Sequence, residues 1–192
     1  MTIASRLLRA TREAAHASQR ELARRSGVAQ PSISAVENED HDLTVESLGR
    51  LAASLGAQVS LVPSLRLTAA TAAALVKRDL SEANIGAAVA TVFQLADDLA
   101  AVEPALRAAL VVSPAPTTGD RRYDAWIAGL VEFRLGEVGV PAPAWVHEAP
   151  RVSEKEWAVG DVPGLAEIVR SETPEPFARR GVLISRDDLV SV

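Results

Sequence analysis

Side chains with chemical reach are few in this chain and widely scattered. The three histidines, His16, His41 and His147, share no ligand spacing, and the 192 residues include no cysteine. Thiolate zinc sites, disulfides and cysteine nucleophiles are therefore excluded. Serine elbows, phosphate-cradling Walker loops and dinucleotide fingerprints are absent. Carboxylates are plentiful, 25 in all, yet none sits in a recognisable acid–base pair, and a solvated surface accounts for them. The sequence thus points away from catalysis and calls for no cofactor and no metal. What it offers instead is placed charge. Residues 1–36 carry six arginines (Arg6, Arg9, Arg12, Arg20, Arg24 and Arg25) against Glu13 and Glu21, a balance of +4. The other 156 residues balance at -9, giving -5 overall. A basic head on an acidic body suits contact with a phosphate backbone, although a local excess of four charges is common by chance.

The elements that must position this head are short helices. Residues 3–16 place Ile3, Leu7, Leu8 and Ala14/Ala15 at helical spacing. Ser18, with Glu21 three residues on, predicts a capping box ahead of the helix QRELARRS. A second short helix follows from about Ala29 or Gln30, with Pro31 tolerated in its first turn. Two such helices joined by a three- or four-residue turn cross steeply. The crossing needs a small residue on the first helix, and Ala23 is there; the turn needs a residue that accepts positive φ, and Gly27 follows four residues later. Leu22 on the first helix and Val28, Ile33 and Val36 on the second supply the apolar underside. Counted from Gln19, the small residue, the glycine and the two later anchors fall at offsets 4, 8, 14 and 17. A fourth helix is expected from Thr44 to about Leu55, closed by Gly56, with QVSLV (58–62) a short strand or extended exit.

SQRELARRSGVAQPSISAVEN, with those offsets, resembles the Cro/cI (xenobiotic-response-element) repressor family over about residues 3–62. The resemblance implies a five-helix domain whose second motif helix, residues 29–37, lies in the major groove of double-stranded DNA. Gln19 matches the glutamine that opens the first motif helix and contacts phosphate. Gln30 matches the glutamine that opens the recognition helix; its amide can pair with adenine N6 and N7. Pro31, Ser32 and Ala35 would share the exposed face, with Ser34 at its edge; Ser18 and Asn38 complete the DNA-binding set. Arg12 and Glu37 resemble the family's structural ion pair. The sequence departs from the family after the recognition helix, where Glu39, Asp40 and Asp42 replace a glycine and basic residues. Carboxylates beside phosphates repel, so modest or dimer-dependent affinity is expected.

Beyond Pro63-Ser64, helices are expected at 67–80, 81–99, 103–110 and 124–135, then at 164–171 and 174–180, with a possible strand at 182–185. Ile85, Val89, Val92, Ala96 and Leu99 step by 4, 3, 4 and 3, which suits either a short coiled-coil seam or a core stripe. Asp98 falls away from that stripe and Asp97 on its flank, both expected as solvated charge. Trp126, Phe133, Trp145, Trp157 and Phe177 concentrate in residues 124–192 and suggest a second small core. TPEPFARRGVLIS is similar to the C-terminal half of repressor-like proteins that accompany a nucleotidyltransferase-type toxin.

The expectation is therefore a mainly α protein with three parts: a helix-turn-helix domain (1–63), a helical dimerisation or packing region (66–110) and a small Trp-containing subdomain (121–192). Arg6, Arg9 and Arg12 occupy the place where a signal peptide needs an apolar run, and no apolar stretch approaches a membrane span, so a cytoplasmic protein is expected. A homodimeric repressor on a palindromic operator is the leading reading. An antitoxin that neutralises a partner toxin and autoregulates its operon is the alternative, and a small-molecule sensor the third.

Overall fold

A computed structural model describes residues 3–38, 41, 43–59, 64–160 and 166–189, with the side chains of residues 3 and 166 excepted. The chain divides into two compact units, Met1–Leu61 and Val62–Val192.

Among its described residues the first unit holds four helices: α1 (Ile3–Ala14), α2 (Gln19–Ser26), α3 (Gln30–Glu37) and α4 (Val45–Ser54). Leu8, Leu22, Ile33, Val36, Leu48 and Leu51 form its core, with Ala23 packed against them. Leu7, expected on the inner face of α1, is 45% exposed, and Ser5 is buried instead. One helical turn accommodates Ala4, Ser5 and Leu8 on a single face, and Leu7 lies a hundred degrees away from Leu8. Val28 likewise stays exposed, leaving Ile33 and Val36 to hold α3 down. The Ser18 hydroxyl accepts the Glu21 N–H at 3.1 Å, but the Glu21 carboxylate turns to Arg24 and Arg25 rather than completing a capping box. Gly27 has φ +73° and donates its N–H to the Ala23 carbonyl, the left-handed cap that a side chain would strain. After Gly56 (φ +78°) residues 57–59 carry no regular structure. The expected strand otherwise falls on 60–62, outside the described residues. The fifth helix that the resemblance implies does not occur among this unit's described residues; the next helix in the chain belongs to the second unit.

The second unit is built around α8 (Arg121–Gly136), whose residues Tyr123 to Val131 are buried without interruption. Around it pack α5 (Ala69–Ser81), α6 (Ile85–Ala100), α7 (Pro104–Val111) and α10 (Glu175–Ala178). Two 3₁₀ turns (Ala144–His147 and Ala149–Arg151) cover it too, while α9 (Ala166–Glu172) lies against β2. β1 (Trp157–Ala158) pairs in parallel with β2 (Val182–Leu183); β1 lies outside the elements expected from the sequence. Val92, Ala96 and Leu99 are buried in this core and Val89 packs against it, so the α6 stripe is a core stripe from Val89 onward, while Ile85 at its start is exposed. The aromatic side chains do not close on themselves as a second core. Trp126, Phe133, Trp145 and Phe177 share one apolar cluster with Ala69, Val76, Leu95 and Val111, because a helix buried on every side needs neighbours all round.

Asp98 is a further correction. It is only 4% exposed, accepting from the Leu67 N–H (2.7 Å), Arg66 (3.1 Å) and Gln94 (3.2 Å); a buried carboxylate persists when donors surround it. Four buried arginines serve the irregular segments in the same way. Arg107 donates to the carbonyls of Ala100 and Arg134, Arg134 to Leu189, Arg151 to Ala115, and Arg180 to Val146 and Pro176.

Gly129 marks the closest approach of α10 to α8. A β-carbon there would lie 2.8 Å from Phe177 Cδ1 and 3.2 Å from the Pro176 carbonyl oxygen. Gly129→Ala is expected to cost about 1–3 kcal/mol through overpacking. A urea midpoint indistinguishable from wild type would show that α10 yields freely.

Candidate nucleic-acid interface

Side chains from three helices converge at one carboxylate. Glu37, the last residue of α3, has a side chain only 1% exposed. Arg12 of α1 donates through Nε to its Oε1 at 2.7 Å and through Nη2 to its Oε2 at 2.9 Å. Arg12 Nη1 also reaches the Ala17 carbonyl at 2.9 Å. Gln19, first residue of α2, donates Nε2 to Glu37 Oε2 at 2.9 Å. Gln30, first residue of α3, donates its own Nε2 to Gln19 Oε1 at 2.9 Å. Both ends of α3 are thereby tied to α1 and α2.

Burial alone would raise the Glu37 carboxyl. The hydrogen bonds from Arg12 and Gln19, aided by the charges of Arg12 and Arg9, outweigh it and hold the group below its ordinary value. The Arg12 guanidinium is raised in turn by its bond to Glu37.

Other proposed contact residues lie on the outside of this frame. Pro31 and Ser32 are exposed at the start of α3, while Ser34 and Ala35 are half-buried. Asn38 is exposed and donates to the Ser34 hydroxyl at 3.4 Å. Ser18 is exposed but spends its hydroxyl as the α2 cap. Gln19 keeps one N–H beyond the bond it gives Glu37, and Gln30 is half-buried by its bond to Gln19. The acidic residues Glu39, Asp40 and Asp42 lie outside the described residues.

The cations sort by availability. Arg6 and Arg20 are exposed. Arg24 and Arg25 are exposed as well, yet both bind Glu21, with Arg24 Nε at 2.9 Å and Arg25 Nε at 2.6 Å. The bonds from Arg24 and then Arg25 pull the Glu21 carboxyl down to about 2. Sequence reasoning missed Arg9, which donates Nη2 to the Glu37 backbone carbonyl at 2.7 Å. Its place three residues before Arg12, on the same face of α1, was the available signal.

Among the described residues no group of histidines and carboxylates is arranged to hold a metal, and no helix is long and apolar enough to cross a membrane.

Residues 8–61 match a family described as Helix-turn-helix. No curated protein and no solved structure matches the chain. The matched residues run from the α1 core leucine to the end of the first unit, and the α2–Gly27–α3 crossing and its Arg12–Glu37 brace lie inside them. Residues 8–61 are thus similar to the Cro/cI-type helix-turn-helix domain of DNA-binding transcription regulators.

Proposed function

We propose that the chain is a cytoplasmic repressor that binds a palindromic operator in double-stranded DNA as a homodimer. The observation that carries this reading is the mounting of α3. Ile33 and Val36 are buried beneath it, its two ends are braced, and Pro31 and Ser32 face outward beside the Gln30 amide. A rigid rod with a polar, exposed N-terminal end suits base readout in the major groove. In this arrangement Gln30 reads a base edge, Pro31 and Ala35 meet a thymine methyl, and Ser32, Ser34 and Asn38 line the groove. Ser18 and the remaining Gln19 N–H face phosphate. With Arg24 and Arg25 held by Glu21, one domain has few free cations for the backbone. Two domains on half-sites about 34 Å apart supply the affinity that one lacks.

Selection from random duplexes should recover one inverted repeat. Gln30→Ala should relax preference at one base pair per half-site by about 1–3 kcal/mol, read as the change in relative affinity across single-base variants. Recovery of no enriched sequence would count decisively against the proposal.

A further inference from the structure

An amide has no preferred way round of its own; its neighbours decide which side carries the oxygen. In the chain of contacts from Arg12 to Gln30 the deciding neighbour is Glu37. Its carboxylate only accepts, and it already takes two bonds from Arg12. The Gln19 atom 2.9 Å from Glu37 Oε2 must therefore be the nitrogen. That turns the Gln19 oxygen toward Gln30, and the Gln30 atom facing it must again be a nitrogen. Gln30 is left with its carbonyl oxygen and one N–H. An acceptor beside a donor complements adenine, which offers N6–H and N7. Reversed, the same amide would offer two N–H groups, the complement of guanine O6 and N7.

We propose that Glu37, acting through Gln19, sets the direction of the Gln30 amide and so selects adenine over guanine at the base that Gln30 reads. Glu37 touches no base in this scheme; it is a positioning residue. The inference rests on the proposed reading of α3 as the recognition helix.

Gln19→Lys tests it without touching the Arg12–Glu37 pair. A lysine ammonium has only donors, so between Glu37 and Gln30 it gives one bond to each and turns the Gln30 oxygen inward. Random duplex selection with the full chain should then place guanine where wild type selects adenine, with a preference on the order of tenfold. Gln19→Ala should leave Gln30 free to turn and reduce discrimination between the two purines to roughly twofold or less, against the tenfold or more of a well-made bidentate pair. Adenine retained by Gln19→Lys would overturn the proposal. If Gln19→Lys fails to fold, Gln19→Ala decides: uniform weakening with the adenine preference intact would make Gln19 a phosphate anchor and nothing more. Failure of the underlying reading looks different, because then Gln30→Ala leaves the selected sequence unchanged or wild type selects none. Loss of adenine in Gln30→Ala together with its retention in both Gln19 variants would sink the relay alone.

Discussion

Arg12→Ala is expected to unfold the N-terminal domain at temperatures where α8 keeps its structure. The substitution leaves the Glu37 carboxylate, 1% exposed, without its two-point partner, and it strands the Ala17 carbonyl that Arg12 Nη1 caps. Breaking a buried pair on one side costs about 3–5 kcal/mol, far more than the pair is worth against an apolar replacement. A small domain has only about 5 kcal/mol in hand. Amide hydrogen exchange should therefore show α2 and α3 unprotected while α8 stays slow. The pH dependence adds a second check. Glu37 sits below its unfolded value in the folded chain, so its contribution is complete above the ordinary carboxylate range of about 4.3. That contribution fades as pH falls through the depressed folded value. In Arg12→Ala burial acts with less opposition and Glu37 protonates earlier, so the deficit against wild type should shrink on acidification. A deficit under about 1 kcal/mol, unchanged with pH, would mark the pair as a solvated surface contact.

The helix-turn-helix was legible because its sterics leave few choices. Ala23, Gly27, Ile33 and Val36 are each required by a crossing of two short helices, and the structure uses each for that purpose. Charge was harder to place. A carboxylate is read as solvated by default, and Asp98 obeyed the periodicity argument while defying the default. Its helix position said nothing of Leu67 and Arg66, which approach from more than thirty residues away. The same holds for Val28, whose apolar character is real but whose place in the turn leaves it outside the core.

The Gln19–Gln30 contact was only half visible. The resemblance marks both glutamines as DNA-facing, but a one-dimensional reading assigns each a separate task. That they share a hydrogen bond, and that Glu37 lies behind them, is a product of the steep α2–α3 crossing. In the second unit α8 hid in plain view. A helix buried on all sides has no polar stripe, so periodicity cannot tell its faces apart. The aromatic residues near it were accordingly read as a separate core, although they fill the space between α8 and its neighbours.

Trp126 gives that core its sharpest test. Its indole is fully buried, with Phe93 edge-on at 5.3 Å, Trp157 at 5.7 Å and Tyr123 at 6.0 Å. Trp126→Ala should cost about 3–5 kcal/mol, the range for deleting a large aromatic side chain from a packed interior. Trp126→Phe should cost far less than its loss of volume suggests. The Trp126 Nε1 atom is buried with no hydrogen-bond partner among the described residues, and an unmet donor of that kind carries a penalty of about 1–3 kcal/mol that phenylalanine removes. Trp145 supplies the contrast, since its Nε1 donates to the Val111 carbonyl at 2.9 Å. Trp145→Phe strands that acceptor and adds a penalty where Trp126→Phe relieves one. Urea midpoints should thus rank Trp126→Phe above Trp145→Phe, with Trp126→Ala lowest. If Trp126→Phe proves as damaging as Trp126→Ala, the indole N–H has a partner in solution, and the core around α8 is wetter than its packing implies.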